Sequence, residues 1–483
     1  MNLISSRVSK LNRRRNKVVV SAFLMLGLLV AGPMAEACDV AVISKATSNT
    51  ARPIIWKNRD DSNSYFQGIR SYPAVEDDIG AHTCIEEVVY LINSPICGGG
   101  ANESGFAVLN ASVYSDTTVE ELLNVDVAIM KKALQTCSRV TCLENLIEHW
   151  NDAPNAVSVI SSNFVAMDAQ EGVILLEAHS GIGTKPDVFR VDANETGTAN
   201  HTNFNRFIDN PGIERKDRAT ALLTELDTTD QMTPARVMST VAKDICGATP
   251  IVDPLAVPTN LCISRAQTTA SVVIEGVTPG MDPRLTTMWV NLGEPSVGVF
   301  VPTFPAAKVV PSKMASNNVF GYAAFNLATV DKELWLYDNN GAVNSILPVP
   351  WMDTHINMTK LAALQPVVQP IEDDMVAKAN TFVNQMIANP SLITPENLAS
   401  FGQATTEEAF SRYTDINFGA GVIDPNAFIR WSIKSLSKQI KIVQNIRTGI
   451  EVNRRYLKSQ IPLEAAALAE LIRKATVLKT NTP

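Results

Sequence analysis

Several familiar signatures are missing from these 483 residues. None of the five histidines lies in an H-E-x-x-H pattern and no two cysteines stand in C-x-x-C spacing, so the chain offers no recognisable metal site. A P-loop and a G-x-G-x-x-G turn are also lacking, which removes the usual phosphate and dinucleotide cradles, and no cofactor is expected. There is no internal repeat and no low-complexity tract. The apolar run from Val18 to Val30 falls short of the roughly 20 residues a spanning helix needs, and no later stretch is long enough. Charged residues make up only 19%, while apolar residues reach 46%, so there is ample material for a core.

What is present begins with a leader. Arg7, Lys10, Arg13, Arg14, Arg15 and Lys17 form a positive head, the apolar run follows, and Ala35-Glu36-Ala37 supplies small residues at cleavage positions. Residues 1–37 therefore read as a secretory signal, and the mature chain as periplasmic or secreted. Cleavage takes away six positive charges and one negative, moving the formal charge from -8 to -13. An acidic mature chain argues against nucleic acid as a partner, because phosphate binding needs a clustered basic face. Cys38 then stands first, and the other six cysteines are even in number. Proximity suggests the disulfides Cys84 with Cys97, Cys137 with Cys142 and Cys246 with Cys262, one of about 15 connectivities, with Cys38 left as a free thiol.

The chain is long enough for one large domain and a smaller appendage. Short β-rich runs at Cys38 to Ile43, Pro53 to Asp60, Val88 to Ile92, Gly105 to Asn110, Val157 to Met167 and Val173 to Glu177 read as strands. Helical spacing covers Thr118 to Gln135, with Thr118-Val119-Glu120-Glu121 as a capping start, and Val140 to Trp150. A second helical block, Asp217 to Lys243, is split near Thr233-Pro234, and strands resume at Ala270 to Glu275, Thr287 to Asn291 and Val297 to Val301. Beyond Pro366 the patterns Ile371 to Ile387, Pro395 to Ser411, Asn426 to Tyr456 and the stretch after Pro462 are helical. The basic residues of that tail, Lys434, Lys438, Lys441, Arg447, Arg454, Arg455 and Lys458, read as a solvated face, with a membrane or partner contact as the alternative. Alternating runs of strands and helices imply an α+β layered domain over residues 38–350, followed by a helical C-terminal domain over 366–483.

Cys38 is where chemistry enters. The thiolate is the reactive form, and an ordinary thiol with pKa about 8.5 is only a few per cent ionised at neutral pH. An α-amino group titrates at about 7.7 to 8.0, so a cysteine that is itself the first residue carries a matched base on its own backbone. Cleavage before Cys38 would make export and activation one event. A lipid-attachment cysteine is the alternative; Ala35 and Glu36 depart from the usual lipobox, and acylation would remove the base.

Downstream residues resemble the N-terminal nucleophile hydrolases that open linear amides: choloylglycine hydrolase, penicillin V acylase and the acyl-coenzyme A:isopenicillin N acyltransferase family. The resemblance lies in the order of five short pieces between Cys38 and Pro302: Trp56-Lys57-Asn58-Arg59-Asp60; Asn102-Glu103-Ser104-Gly105-Phe106 with Leu109-Asn110; Thr202-Asn203; Ser264-Arg265; and Trp289 to Pro302. It implies a four-layer αββα sandwich with an added C-terminal helical domain. It also implies an amide hydrolase acting through a Cys38 thioester, with Asp60 holding the thiol or amine and Arg265 and a second cation favouring the thiolate. That second cation is Lys57, which stands at the family's Arg position, or Arg59. Asn110 and Asn203 would donate to the oxyanion.

Other readings remain. The reaction could be that of an N-terminal-cysteine dipeptidase or an acyltransferase, and the fold could serve a secreted or lipid-anchored binding protein. Asn102 and Asn110 also suit strand-flanking turns, and His201 reads as structural. A small acyl-amide substrate is the expected partner, a homo-oligomer is possible, and the substrate itself is not legible.

Overall fold

The structure is a computed structural model that describes residues 38–60, 67–75, 79–87, 96–113, 124–152, 158–208, 212–246, 256–258, 262–316, 323–337 and 355–416. The leader, the strand expected over Val88 to Ile92, the capping start at Thr118, the helices after Asn426 and the basic cluster from Lys434 lie outside the described residues.

Fifteen strands are present among these residues: β1 (Asp39–Ile43), β2 (Ile54–Asp60), β3 (Gln67–Tyr72), β4 (His82–Glu87), β5 (Ile96–Asn102), β6 (Ala107–Ser112), β7 (Ser161–Met167), β8 (Val173–His179), β9 (Asp187–Asp192), β10 (Thr198–His201), β11 (Ala256–Pro258), β12 (Thr268–Glu275), β13 (Thr287–Leu292), β14 (Val301–Thr303) and β15 (His355–Asn357). Six form one sheet in the order β10-β1-β2-β12-β13-β14, and seven form another in the order β3 to β9, antiparallel throughout. The strands β11 and β15 pair separately.

Patterning explains the layers. Every residue of β1, β2 and β12 is buried, as expected of strands covered on both faces. Strand β9, at the edge of the seven-stranded sheet, has no buried residue and carries Asp187, Arg190 and Asp192, charges that discourage further strand pairing. One face of that sheet contributes Leu109, Val165 and Leu175 to a core shared with Val40, Val42 and Ile55 of the other sheet. Its opposite face, with Val108, Phe164, Ala166, Ile174 and Leu176, is covered by helices α1 (Asp126–Thr136) and α2 (Val140–Glu148) through Ile129, Met130, Leu134, Leu143 and Ile147. The six-stranded sheet is covered by α3 (Ile213–Thr228) and a π-helical turn (Val237–Ala242). The order is therefore helix, sheet, sheet, helix, which is the four-layer α+β sandwich expected.

Three further helices, α4 (Ala324–Leu336), α5 (Met358–Ala388) and α6 (Pro395–Thr414), build onto the β13 and β14 end of the six-stranded sheet. Leu361, Leu364, Val368, Ile371 and Met375 of α5 join the same core as Trp289, Val290 and Val301, so this helical region shares the sandwich's apolar interior. No helix among the described residues is long and apolar enough to cross a membrane.

Local differences from the sequence expectations have physical causes. Among the described residues, helix α1 starts at Asp126, where the Asn124 side chain ties the preceding segment to both backbone groups of Ser161. The break near Pro234 is real: the Thr233 hydroxyl accepts from Arg236 N, and the chain continues as the π-helical turn. The strand expected over Val297 to Val301 is confined to Val301–Thr303, since Val297 N and Gly298 N bond back to Glu294 and Pro295 in turns. The helix expected over Ile371 to Ile387 begins earlier: α5 starts at Met358, where the Asn357 side chain accepts from Lys360 N, and it runs through Pro366 and Pro370.

The disulfides Cys84–Cys97, Cys137–Cys142 and Cys246–Cys262 are present as paired from proximity, and Cys38 is free. Closing loops of 13, 5 and 16 residues, they restrict the unfolded chain locally.

Candidate functional site

Cys38 immediately precedes β1 and is 5% exposed. The antiparallel register pairs Asp39 with Asn58 and Val40 with Lys57, which brings the end of β2 alongside the thiol. Its Sγ lies 4.0 Å from the backbone carbonyl oxygen of Asp60.

Strand alternation gives β2 two faces of different character. Lys57 and Arg59 share the face turned to the seven-stranded sheet. Lys57 Nζ donates to Gly98 O at 3.0 Å and to Asn110 Oδ1 at 2.7 Å. Arg59 lies over Gly98, where an added Cβ would come within 3.0 Å of its Nε, so glycine there leaves room for the guanidinium. Asn58 and Asp60 take the other face. Asn58 Nδ2 donates to Ala242 O of the π-helical turn and to Ile263 O, at 2.9 and 3.0 Å.

The Asp60 carboxylate is held from several sides. Arg265 donates to Oδ2 through Nε and Nη2 at 2.8 and 2.6 Å, and the Thr268 hydroxyl donates to Oδ1 at 2.6 Å. Arg215 Nη1, from the first turn of α3, lies 3.7 Å from Oδ2. That guanidinium also donates to Asp39 Oδ1 at 2.9 Å and, through Nη2, to Asn203 Oδ1 at 3.0 Å. Asn203 Nδ2 donates to Ser112 O at 2.7 Å.

Asn110 is oriented by partners of opposite kind. An ammonium only donates and a carboxylate only accepts, so its oxygen faces Lys57 while Nδ2 donates to Asp126 Oδ2 at 2.8 Å. Ser162 Oγ also accepts from Nδ2, at 3.2 Å. The amide expected to serve an oxyanion thus donates to Asp126 and accepts from Lys57.

Burial raises the Cys38 thiol pKa above its ordinary value; Lys57 and then Arg59 pull it down, while Asp60 pushes it up. Burial wins, so the thiol is held protonated and needs a base to take its proton. Asp39, wholly buried, is raised to about 7 by burial against the pull of Arg215, and its Oδ2 has no hydrogen bond among the described residues.

Behind Arg265 lies a second buried polar group. Ser264 and Ser296 donate to Glu294 Oε1 at 3.2 and 2.6 Å, and Glu294 N donates to Glu333 Oε1 at 2.5 Å. Burial lifts Glu294 to about 7 and Glu333 to about 8, the latter also by the nearby Glu294 charge.

Of the residues expected from the sequence, Cys38, Lys57, Arg59 and Asp60 lie together, Arg265 joins through Asp60, Asn110 through Lys57 and Asn203 through Arg215. Both candidate cations are near the thiol, with Lys57 the stronger influence. Asn102 serves structure, donating to Leu134 O and Cys137 O and accepting from Phe106 N. His201 does too: Nδ1 accepts from Thr202 N, Nε2 lies 3.9 Å from Glu177, and burial drives the ring down to about 4, leaving it neutral near pH 7. Asp39, Arg215 and Thr268 were missed. Asp39 had its place beside Cys38 as a signal, whereas nothing marked Arg215 among the charges of an ordinary helix.

The chain is thus a four-layer α+β sandwich with a lone buried thiol leading into a central strand. No protein-family model matches it and no curated protein does. Among solved structures it is similar to a Caenorhabditis elegans ortholog of N-acylethanolamine-hydrolyzing acid amidase, at 14% identity and TM-score 0.34, covering 52% of this chain and 99% of that one. It is also similar to two single-residue variants of conjugated bile acid hydrolase from Clostridium perfringens, each at 14% identity and TM-score 0.32, covering 53% of this chain and 89% of theirs. Likenesses of that depth fix no residue's role here.

Proposed function

We propose that the chain is an exported amidohydrolase that opens a linear, N-acyl type of amide through a thioester on Cys38. The observation that carries this reading is the placement of the one cysteine outside the three disulfides, buried ahead of β1 beside Lys57 and Arg59. A structural thiol in that position would have no use for two buried cations.

Cleavage after Ala37 would free the α-amine of Cys38. That amine takes the proton from Sγ, and the thiolate attacks the amide carbon, placing the electron pair of the carbonyl bond on oxygen. Collapse re-forms the carbonyl and breaks the C–N bond, and the α-ammonium returns the proton to the departing amine. Water then attacks the thioester, giving its proton to the α-amine, and the acid leaves as Sγ is reprotonated. Lys57, fixed by Gly98 O and Asn110, offsets the thiolate charge, and Arg59 adds to it. Asp60, clamped by Arg265 and Thr268, keeps the end of β2 beside the sulfur. Asn110 and Asn203 are the side-chain amides assigned to the oxyanion, the role the family resemblance gives them.

The test is the exported protein. Mass spectrometry should find a mature chain beginning at unmodified Cys38, and a panel of N-acyl amides, penicillins, conjugated bile acids and dipeptides should contain a hydrolysed member. Brief exposure to that member should add the mass of its acyl group to Cys38. A blocked Cys38 nitrogen, or undiminished turnover in Cys38→Ala, ends the reading.

A further inference from the structure

Asp126 belongs to none of the sequence motifs, yet it is the carboxylate that meets the amide holding Lys57. It opens α1 and is 4% exposed. Its Oδ2 accepts from Asn110 Nδ2 at 2.8 Å and from the Ser112 hydroxyl, and its Oδ1 accepts from Val127 N at 2.7 Å. Every one of these partners donates, so both side-chain oxygens must be acceptors, a need that aspartate meets and asparagine does not.

The consequence passes through one amide. With its NH2 group turned to Asp126, Asn110 presents its oxygen on the other side, and there Lys57 Nζ donates to it at 2.7 Å. An ammonium is a compact charge on a flexible four-carbon stem, so the acceptors around it decide where it sits. For Lys57 these include Asn110 Oδ1 and Gly98 O. Turned over, Asn110 would set its NH2 group against the ammonium, donor against donor, and that anchor would be lost. Lys57, Asn110 and Asp126 are all buried, so a partner lost here is costly to replace.

We propose that Asp126 is a positioning residue for the nucleophile: by fixing the direction of the Asn110 amide it keeps the Lys57 ammonium beside Cys38. Its part in turnover rests on the amidohydrolase reading above, whereas its part in thiol reactivity does not.

The experiment turns on a sign. The charged groups bearing on the thiol are Lys57, Arg59 and Asp60, and of the two cations Lys57 pulls harder toward the thiolate. On charge alone, deleting the Asp126 carboxylate eases ionisation of Cys38 and lowers the thiol pKa; releasing Lys57 raises it. In the mature protein, the rate of Cys38 alkylation by iodoacetamide is followed against pH. Asp126→Ala, with the circular dichroism of the parent, should move the midpoint up about one unit and slow alkylation at neutral pH about tenfold, as the thiolate fraction falls in that proportion. Gly98 O still holds the ammonium, so the loss is smaller than that from removing Lys57 outright. In a Lys57→Met background the same substitution should change the rate less than about twofold, because the group it acts through is gone. Should Asp126→Ala fail to fold, Asp126→Leu fills the space without offering an acceptor and is read in the same way. A midpoint that stays or falls, or an equal loss that persists beside Lys57→Met, would overturn the role of Asp126. A raised midpoint in a protein that hydrolyses no amide of the panel, or whose Cys38→Ala variant still turns over, upholds that role in thiol reactivity and overturns the amidohydrolase reading instead.

Discussion

The two faces of β2 divide the labour around Cys38. Toward the second sheet the strand shows Lys57 and Arg59, cations that act on the thiol through space. Toward the helices it shows Asn58 and Asp60, which act through hydrogen bonds to the π-helical turn, Arg265 and Thr268. The inner face pulls the thiol pKa down, while the helix-side face holds position and, through Asp60, pushes that pKa up. A strand can do both because neighbouring side chains point opposite ways, so a cation and an anion adjacent in sequence face different layers.

That division can be broken from either side. The largest effect belongs to the sulfur both faces serve: Cys38→Ala should lower turnover at least about 10⁴-fold with the fold intact by circular dichroism, as nucleophile removal does in serine hydrolases. On the helix-side face, Asp60→Ala takes the carboxylate partner from buried Arg265 and leaves Arg215 with Asp39 alone, and chemical denaturation should register a loss of about 3–5 kcal/mol. On the inner face the signature should be kinetic: Lys57→Met should raise the thiol pKa and slow iodoacetamide alkylation at neutral pH about 10²-fold, and Arg59→Met about tenfold, following the order of their pull on the thiol. Equal losses in the two variants would remove the distinction between Lys57 and Arg59.

The smallest effect is a pH dependence from the group behind Arg265. Glu294 and Glu333 have folded-state pKa values raised to about 7 and about 8, above those of an unfolded carboxyl. Their protonated forms favour the folded state, so this contribution is complete below about pH 4 and is lost as pH rises through 7 to 8. Thermal melting should show stability falling on the alkaline side, and Glu294→Gln or Glu333→Gln should flatten that limb.

The sequence carried the frame of the molecule because buried strands write themselves as dense apolar runs. Strands β1, β2, β12 and β13 could be read from composition, and the disulfide pairs from proximity. The residues clustered around Cys38 were legible because their order along the chain resembles a known family's. What was hidden depends on partners far away in the chain. Arg215 looks like any charge on α3, and the direction of the Asn110 amide follows only from finding Lys57 on one side and Asp126 on the other. Gly98, one of three consecutive glycines, sits where a side chain would crowd Arg59. The π-helical turn after Arg236 has no local signature, since its sequence satisfies an α-helix equally well.

Burial of Cys38 also bears on how the chain oxidises. Seven thiols of which six must pair invite a scrambled product, and exchange proceeds by attack of an accessible thiolate on a disulfide sulfur. The three bridges join neighbours along the chain and can close early, while the odd sulfur is sequestered as β1 enters its sheet. Collapse of the sandwich thus serves as the quarantine that keeps the reactive sulfur out of the pairing.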